Sequence, residues 1–398
     1  MERALKHAAD HRIGSRRSVL PRPRSVLLVT GYYLRAIHEG VVRYARQAGW
    51  ILDATMTHTH RIPSDWRGDG VLAHAPTRAM MARVTAFGRP VAMVLSSPVG
   101  TRFPGVLMDS QAAGRMAAEH LRSRGFTRMA YYQRADGPVV NARRAAFREH
   151  VQAAGCEYRN LHWGTTRKRH SRLGRIAWLA GELVKLRQPL GVFASGDSWA
   201  LDVLNACKAA GLSVPEQLAV IGVDNDPLYV DVGPVPLTSI DINLPGLGYE
   251  AAALLDRLMR GETAPAAPLI VPPIEVIVRK STDTLAVEDV NVARAVSFML
   301  EHFRRPIRVS DAASTSPVSL RRLQQVFKRE LGRTLSQELA RLRLNHALDL
   351  LKSTDDKVDA IARASGFASG RYLSRVMSQS LGLGPRAYRA QRCRDGER

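Results

Sequence analysis

Residues 190–224 read LGVFASGDSWALDVLNACKAAGLSVPEQLAVIGVD. A strand-length apolar run opens the stretch. A segment with helical spacing of apolar residues follows and closes on Gly211, and a second strand-length run, LAVIGV, ends at Asp224. Two strands that are apolar on both faces and are separated by a helix make a right-handed β-α-β unit, whose parallel sheet is covered on both sides. The pattern extends outward. Upstream, SVLLVT, DGVLAH, PVAMVLS, GVLMD and RMAYYQ alternate with helical segments that close on Gly49, Gly125 and Gly155; downstream, LIVPPIEVIVRK supplies late strands. A doubly wound α/β protein is expected over residues 25–282, with TDTLAVED as a linker after it.

The 398 residues leave room for two or three domains at roughly 150 residues each. No apolar run approaches the roughly 18 residues that span a bilayer, and MERALKHAADHRIGSRR has charges where a secretion signal needs its apolar core. A cytoplasmic protein with no membrane partner is expected. Cys156, Cys207 and Cys393 are odd in number and far apart, so they read as reduced thiols, and neither a metal nor a cofactor is expected. The net charge is +22, of which residues 291–398 carry +11 and residues 1–24 carry +5. That balance makes an anionic polymer a serious candidate partner. Residues 1–24, polar and ending in Pro-Arg-Pro-Arg, are read as a disordered arm.

After about Val290 every periodicity is helical, and the tail repeats itself. Val309, Ala312, Ala313, Pro317 and Val318 recur 49 positions later as Val358, Ile361, Ala362, Gly366 and Phe367; Ser319, Leu323 and Phe327 recur 50 positions later as Ser369, Leu373 and Met377. Each copy reads as a short helix, a tight turn, a Ser N-cap and a second helix, which is a helix-turn-helix unit. LSQELARLRLNHALDLLKST between them is one amphipathic helix that fixes their separation. A second helix of this kind lays its exposed residues in the major groove, where Arg grips guanine edges or phosphates and Gln reads adenine. The candidates are Arg321, Arg322, Gln324 and Gln325 in the first unit and Arg371, Ser374 and Arg375 in the second. The competing reading is a solvated basic face, which a matched duplication in a basic segment disfavours.

The tail resembles the AraC-type DNA-binding domain over Asn291 to Arg392, through SLRRLQQVFKRELG, RLRLNHALDLL, IARASGFASGRYLSRVM and the closing GPRAYR. Pro317 stands where that family has a turn Gly and Gln325 where it has Arg. Residues 25–282 resemble the sugar-binding core of lac-repressor-type regulators, a two-lobed periplasmic-binding-protein-like fold, through MDSQAAGRMAAEHLRSRGF, the opening stretch above and PLTSIDINLPGLGYEAAALL. The resemblance implies a first lobe of about 25–124 and 239–264, a second of about 125–238 and 265–282, a linker at 283–290 and an AraC-type domain at 291–392. A lac-type core ahead of an AraC-type tail is the order found in regulators of xylose-type operons.

The same resemblance implies the ligand residues. Arg143, in NARRAAF, matches the Arg that holds sugar hydroxyls; Asp197, in SGDSWA, and Asp224, in GVDND, match hydroxyl-accepting carboxylates; Asp109, ending GVLMD, matches a further acid near the cleft. Strand C-terminal ends line the ligand crevice of doubly wound folds, which agrees with these placements. The alternative for each Asp is a helix cap. The family's Tyr-Asp-Arg reads Tyr33-Leu34-Arg35 here, so Tyr33 stays a candidate while an acid is lost. Tyr32, Trp163 and Trp199 are further candidates to stack on a sugar.

These implications give a sugar-responsive transcription regulator without catalysis. Its partners would be operator DNA, a small sugar effector such as D-xylose, RNA polymerase and a second copy in a homodimer, with cleft closure repositioning the DNA-binding domains. Rival readings are a regulator with a degenerate or non-sugar pocket, and a sugar-modifying enzyme with a DNA-tethering tail. Against the second, VTGYYLRAIHEG lacks a glycine-rich phosphate cradle. Gly246-Leu-Gly248 mimics a dinucleotide fingerprint but has no following β-α-β unit, so it reads as close helix packing.

Overall fold

A computed structural model describes residues 22–32, 34–95, 103–164 and 171–395. Most of the N-terminal arm and Tyr33 lie outside the described residues. In chain order the first elements are β1 (Ser25–Thr30), α1 (Arg35–Ala48), β2 (Ile51–Asp53), α2 (Met56–Thr59), β3 (Gly70–His74), α3 (Arg78–Ala86), β4 (Val91–Val94) and β5 (Gly105–Met108). There follow α4 (Ser110–Ser123), β6 (Arg128–Gln133), α5 (Pro138–Ala153), β7 (Glu157–His162), α6 (Arg172–Val184), β8 (Leu190–Ala194), α7 (Asp197–Ala210), β9 (Leu218–Val223), α8 (Pro227–Val230) and β10 (Thr238–Asp241). The α/β part closes with α9 (Leu244–Met259), β11 (Leu269–Val271) and β12 (Glu275–Ile277).

These strands form two six-stranded sheets of the same design, ordered β11-β5-β4-β3-β1-β2 and β12-β10-β9-β8-β6-β7. The pairs β1–β2, β1–β3, β3–β4 and β4–β5 are parallel, as are β6–β7, β6–β8, β8–β9 and β9–β10. The late strand β12 is paired antiparallel, on β10. Every residue of β3, β8 and β9 is buried, as continuous apolar runs in a two-sided sheet must be. The doubly wound α/β fold is therefore the fold observed, and the opening stretch is β8-α7-β9.

The chain divides into two compact units, Met1–Val106 with Pro245–Leu269, and Leu107–Leu244 with Ile270–Arg398. In the first, Arg22 and Arg24, the last basic residues of the arm, pair with Asp69 at 2.7 Å and Asp256 at 2.8 Å. The Gly246-Leu-Gly248 motif packs helices there: a Cβ on Gly248 would strike the backbone of Ile37 on α1, and one on Gly40 the backbone of Pro245.

The second unit also holds the helical tail: α10 (Val290–His302), α11 (Val309–Ala313), α12 (Leu320–Leu331), α13 (Leu335–Ser353), α14 (Val358–Ala364), α15 (Gly370–Leu381) and α16 (Pro385–Asp395). Pairs α11–α12 and α14–α15 are the two helix-turn-helix units, joined by α13. Their repeated apolar residues Ala312, Ala313, Leu323 and Phe327, and Ile361, Ala362, Leu373 and Met377, are all buried in two cores. Ser319 caps α12 by accepting from the Arg322 amide, and Ser369 caps α15 by accepting from the Tyr372 amide. Helix α11 has five residues and α14 seven, while six residues separate α11 from α12 and five separate α14 from α15, so the second copy is one residue longer up to its second helix and the repeat offset grows from 49 to 50. Gly366 has φ +80°, and a Cβ there would run into Phe303 and Arg343; Pro317, locked near φ −65°, cannot copy that turn.

The segment expected as a linker is packed rather than extended. Thr284, Leu285 and Ala286 are buried, and Leu285 belongs to the core of the first helix-turn-helix unit.

Candidate functional site

Strand ends and the helices α5 and α7 build a polar cluster in the second unit. Arg143 projects from the second turn of α5 and is 3% exposed. Its Nη1 donates to the Ser195 carbonyl at 2.7 Å, its Nη2 lies 2.8 Å from Met108 Sδ and 3.8 Å from Asp224 Oδ1, and its Nε has no hydrogen-bond partner. A buried guanidinium whose Nε–H is unspent is poised for an additional acceptor. Asp197, in the first turn of α7, is 1% exposed. Its Oδ1 accepts from Ser239 Oγ at 2.6 Å and its Oδ2 from the Asp226 amide at 2.9 Å. Ser239 Oγ in turn accepts from the Asn225 amide at 3.0 Å, which ties the ends of β9 and β10 to the start of α7.

The backbone here is held in sparsely populated conformations. Asp224 has φ 114° and Asn225 φ 51°, a cost of order 1–3 kcal/mol each that persists only where the surroundings enforce it. The carboxyls are displaced from ordinary behaviour as well. Burial and then the neighbouring Asp224 push Asp197 well up, although Ser239 and the Asp226 amide oppose the rise. Loss of solvent raises Asp224 to about 6, with Arg143 pulling it down and Asp226 pushing it up. Protons are therefore retained on this pair at mildly acidic pH.

Asp109 caps α4, accepting from the Ala112 amide at 2.8 Å, while its own amide donates to the Val271 carbonyl. Trp163 is buried against Trp178, and Trp199 packs on the core around β8 with Arg134 over its ring. Tyr32, in the first unit, is exposed. Sequence reading did not single out Met108, Asn225, Asp226 or Ser239. Their contacts span up to 42 positions of chain, and only Asp226, with Pro227 after it, carried a local capping signal.

Helix α4 connects this cluster to the tail. A Cβ on Gly114 would meet the Arg143 carbonyl and, at 3.0 Å, the Phe147 amide, so this glycine lets α4 lie directly on α5. About 21 Å is the length of a 14-residue helix. At its far end, His120 Nε2 is 2.8 Å from Thr282 Oγ1, the Arg124 carbonyl accepts from the Ala286 amide at 2.8 Å, and Arg124 pairs with Asp283. Burial first, then Arg124 and Arg341, lowers His120 to about 3. The tail answers with Glu288, bridging Arg128 at 2.6 Å and Arg187 at 3.3 Å, and with Glu330 of α12, whose carboxylate accepts from the Glu288 and Asp289 amides. On α13 the buried Glu338 accepts from Arg341 and Arg333. Burial pushes its carboxyl up, but those two cations more than offset this and leave it low.

On the tail surface Arg321, Arg322, Gln324 and Gln325 are exposed on α12, and Arg371 and Arg375 on α15. Ser374 Oγ donates back to the Gly370 carbonyl, leaving its lone pairs as its outward capacity. Arg375 lies over the ring of Tyr372, a half-exposed aromatic that sequence reading passed over. No helix among the described residues is long and apolar enough to cross a membrane.

Comparison with known proteins matches both parts. Residues 118–282 match the periplasmic binding protein-like domain family and residues 312–391 a helix-turn-helix domain family. The chain is 29% identical over 371 residues to the xylose operon regulatory protein of Escherichia coli, covering 90% of this chain and 94% of that one. It is 28% identical over 378 residues to the protein of the same name from Haemophilus influenzae, covering 90% and 95%. Among solved structures, a xylose-binding transcription activator aligns with TM-score 0.61 and 27% identity over 93% of this chain and 98% of that one.

Proposed function

We propose, from the premise that this chain is homologous to the xylose operon regulatory proteins along nine-tenths of its length and shares their two-part architecture, that it is a sugar-responsive, sequence-specific DNA-binding transcription regulator. Its effector is a small sugar of the D-xylose class. The observation that carries the reading is the union, in one compact unit, of a buried arginine–carboxylate cluster with two capped helix-turn-helix units. Arg143 donates to sugar hydroxyls, Asp224 accepts from them, and Asp197 and Asp109 act at the same strand ends by holding the loops. Arg371 and Arg375 with Ser374, and Arg321 and Arg322 with Gln324 and Gln325, contact the duplex. No covalent step is required of any residue.

A ligand moves such a protein only through its different affinity for two states. Helix α4 supplies a physical link, because its start packs on α5 at Arg143 and its end is bonded to the segment that enters the tail. The regulator works as a cytoplasmic homodimer that places its helix-turn-helix units on operator DNA beside RNA polymerase. The test is fluorescence anisotropy of duplexes selected from a randomised library, with and without D-xylose. Arg371→Ala and Arg375→Ala are expected to weaken DNA binding by about 1–3 kcal/mol each with sugar affinity unchanged. DNA affinity equal to wild type in both variants would sink the assignment.

A further inference from the structure

Helix α13 serves two cores. Leu335, Leu339 and Leu342 are buried in the core of the first helix-turn-helix unit, and Leu344, Ala347 and Leu351 in that of the second, so the changeover falls at Arg343. A helix that is the sole link between two packed bodies lets them swing as it bends. A second point of contact, off the helix axis, removes that freedom, and the half-buried Arg343 makes one. Its Nε donates to the Phe303 carbonyl at 2.9 Å and its Nη2 to the carbonyls of Arg305 and Ile307 at 2.9 and 3.1 Å, so one planar fork holds three carbonyls of the loop after α10. Phe303 and Ile307 in that loop pack on the first core. The turn of the second unit approaches the same atoms: a Cβ on Gly366 would strike the Phe303 carbonyl oxygen and lie 2.8 Å from Arg343 Nε. Three residues further along α13, on the same face, His346 Nδ1 is 3.0 Å from Oγ of the buried Ser365, and its ring meets Phe303 edge-on with centroids 5.6 Å apart. A loop of the first unit and the turn of the second are thus held to each other and to α13 at one place.

We propose that Arg343 is a positioning residue for DNA recognition, fixing the angle between α12 and α15 so that the protein accepts operators with only one spacing between the two segments these helices read. This rests on the DNA-binding reading above and sharpens it, adding to which bases are touched how far apart they must lie. One inserted base pair carries a contact roughly 3.4 Å along the duplex and turns it by roughly 35°. A rigid pair of helices cannot follow both changes, whereas a pair hinged at α13 follows them by bending. The clamp therefore turns an error of spacing into loss of one helix's contacts, because linked binding elements gain from each other only where the geometry lets both engage.

The experiment measures fluorescence anisotropy of the full-length protein on a duplex selected from the randomised library, and on versions with one base pair inserted or deleted between the two segments of a half-site that the protein protects from base methylation. Wild type, Arg343→Met and Arg343→Lys are compared. Wild type is expected to bind either altered duplex at least about thirtyfold more weakly than the parent. Arg343→Met should lose about tenfold or less on the parent, with its penalty for altered spacing reduced to about threefold. Arg343→Lys, which keeps the charge but donates from a single nitrogen, should fall between them. A residue that merely supported folding would weaken binding to all three duplexes by one factor. Equal spacing penalties in wild type and Arg343→Met overturn the proposal, as does a wild type indifferent to spacing, and both leave the DNA-binding reading standing. Should Arg343→Met melt below the assay temperature, Arg343→Lys against wild type decides by the same criterion. Failure of wild type to select any specific duplex overturns the DNA-binding reading and the proposal with it.

Discussion

The two sheets share a strand order and yet end in opposite chemistry. In the first unit the strand ends carry Thr30, His74 and Leu95, and the pocket they enclose is walled mainly by Leu28, Val29, Leu34, Ile37 and Val94, with His38 and His74 as its imidazoles. In the second the corresponding ends carry Gln133, Ser195, Asp224 and Asp241, with Arg143 buried among them. The topology brings strand ends and helix starts together in both, and side-chain choice alone makes one a wall and the other a charged cluster. The difference is one of side chains and not of topology, and the proposed sugar contacts fall on the charged cluster of the second unit.

The most severe way to break this division is Arg143→Ala. It strips the cluster of its cation and leaves Asp224 and Asp197 facing one another, so sugar affinity by calorimetry should fall at least 100-fold, about 3 kcal/mol, while DNA binding without sugar persists. An affinity within threefold of wild type would show that the second unit does not dominate recognition. Gly114→Val comes next: it should force α4 off α5, cost about 1–3 kcal/mol in thermal or denaturant unfolding, and blunt the effect of sugar on DNA affinity. Unchanged coupling in a folded Gly114→Val protein would remove α4 from the route.

A pH titration sharpens the contrast more gently. Asp224 is raised to about 6 in the folded protein, so it is neutral below that value and ionised above it. A sugar hydroxyl donating to the carboxylate favours the ionised form, so affinity should rise about tenfold between pH 5 and pH 7 and then level off. The same raised pKa makes the cluster's contribution to stability largest below the unfolded value near 4 and progressively lost as pH rises through about 6. Asp224→Asn should flatten the affinity profile.

Periodicity made the architecture legible. Continuous apolar runs of strand length, set between helix-length segments that close on Gly, read as strands covered on both faces, and Ser319 and Ser369 announced the two helices they cap. The one-residue step in the tail repeat was visible in the sequence, and its cause, a first helix two residues longer in the second copy set against a turn one residue shorter, needed coordinates. Resemblance picked out Arg143, Asp197 and Asp224, which the structure places on neighbouring strand ends and α5. What it did not reveal depends on long-range approach. Nothing local in Gly114 says that a backbone 29 positions away lies against it, nothing in VLAHAP says that the buried Nδ1 of His74 has no hydrogen-bond partner, and nothing in TDTLAVED distinguishes a tether from a packed joint.

That joint bears on how such proteins can be assembled in evolution. Leu285 lies in the core of the first helix-turn-helix unit, while the neighbouring Ala286 amide is bonded to Arg124. A recombination that exchanged sensor heads at residue 283 would hand the tail a peptide still shaped for the old head, and one at 290 would take a piece of the tail's core away with it. A working chimaera would need the octapeptide to match both parents at once, so head and tail are expected to be inherited as a pair.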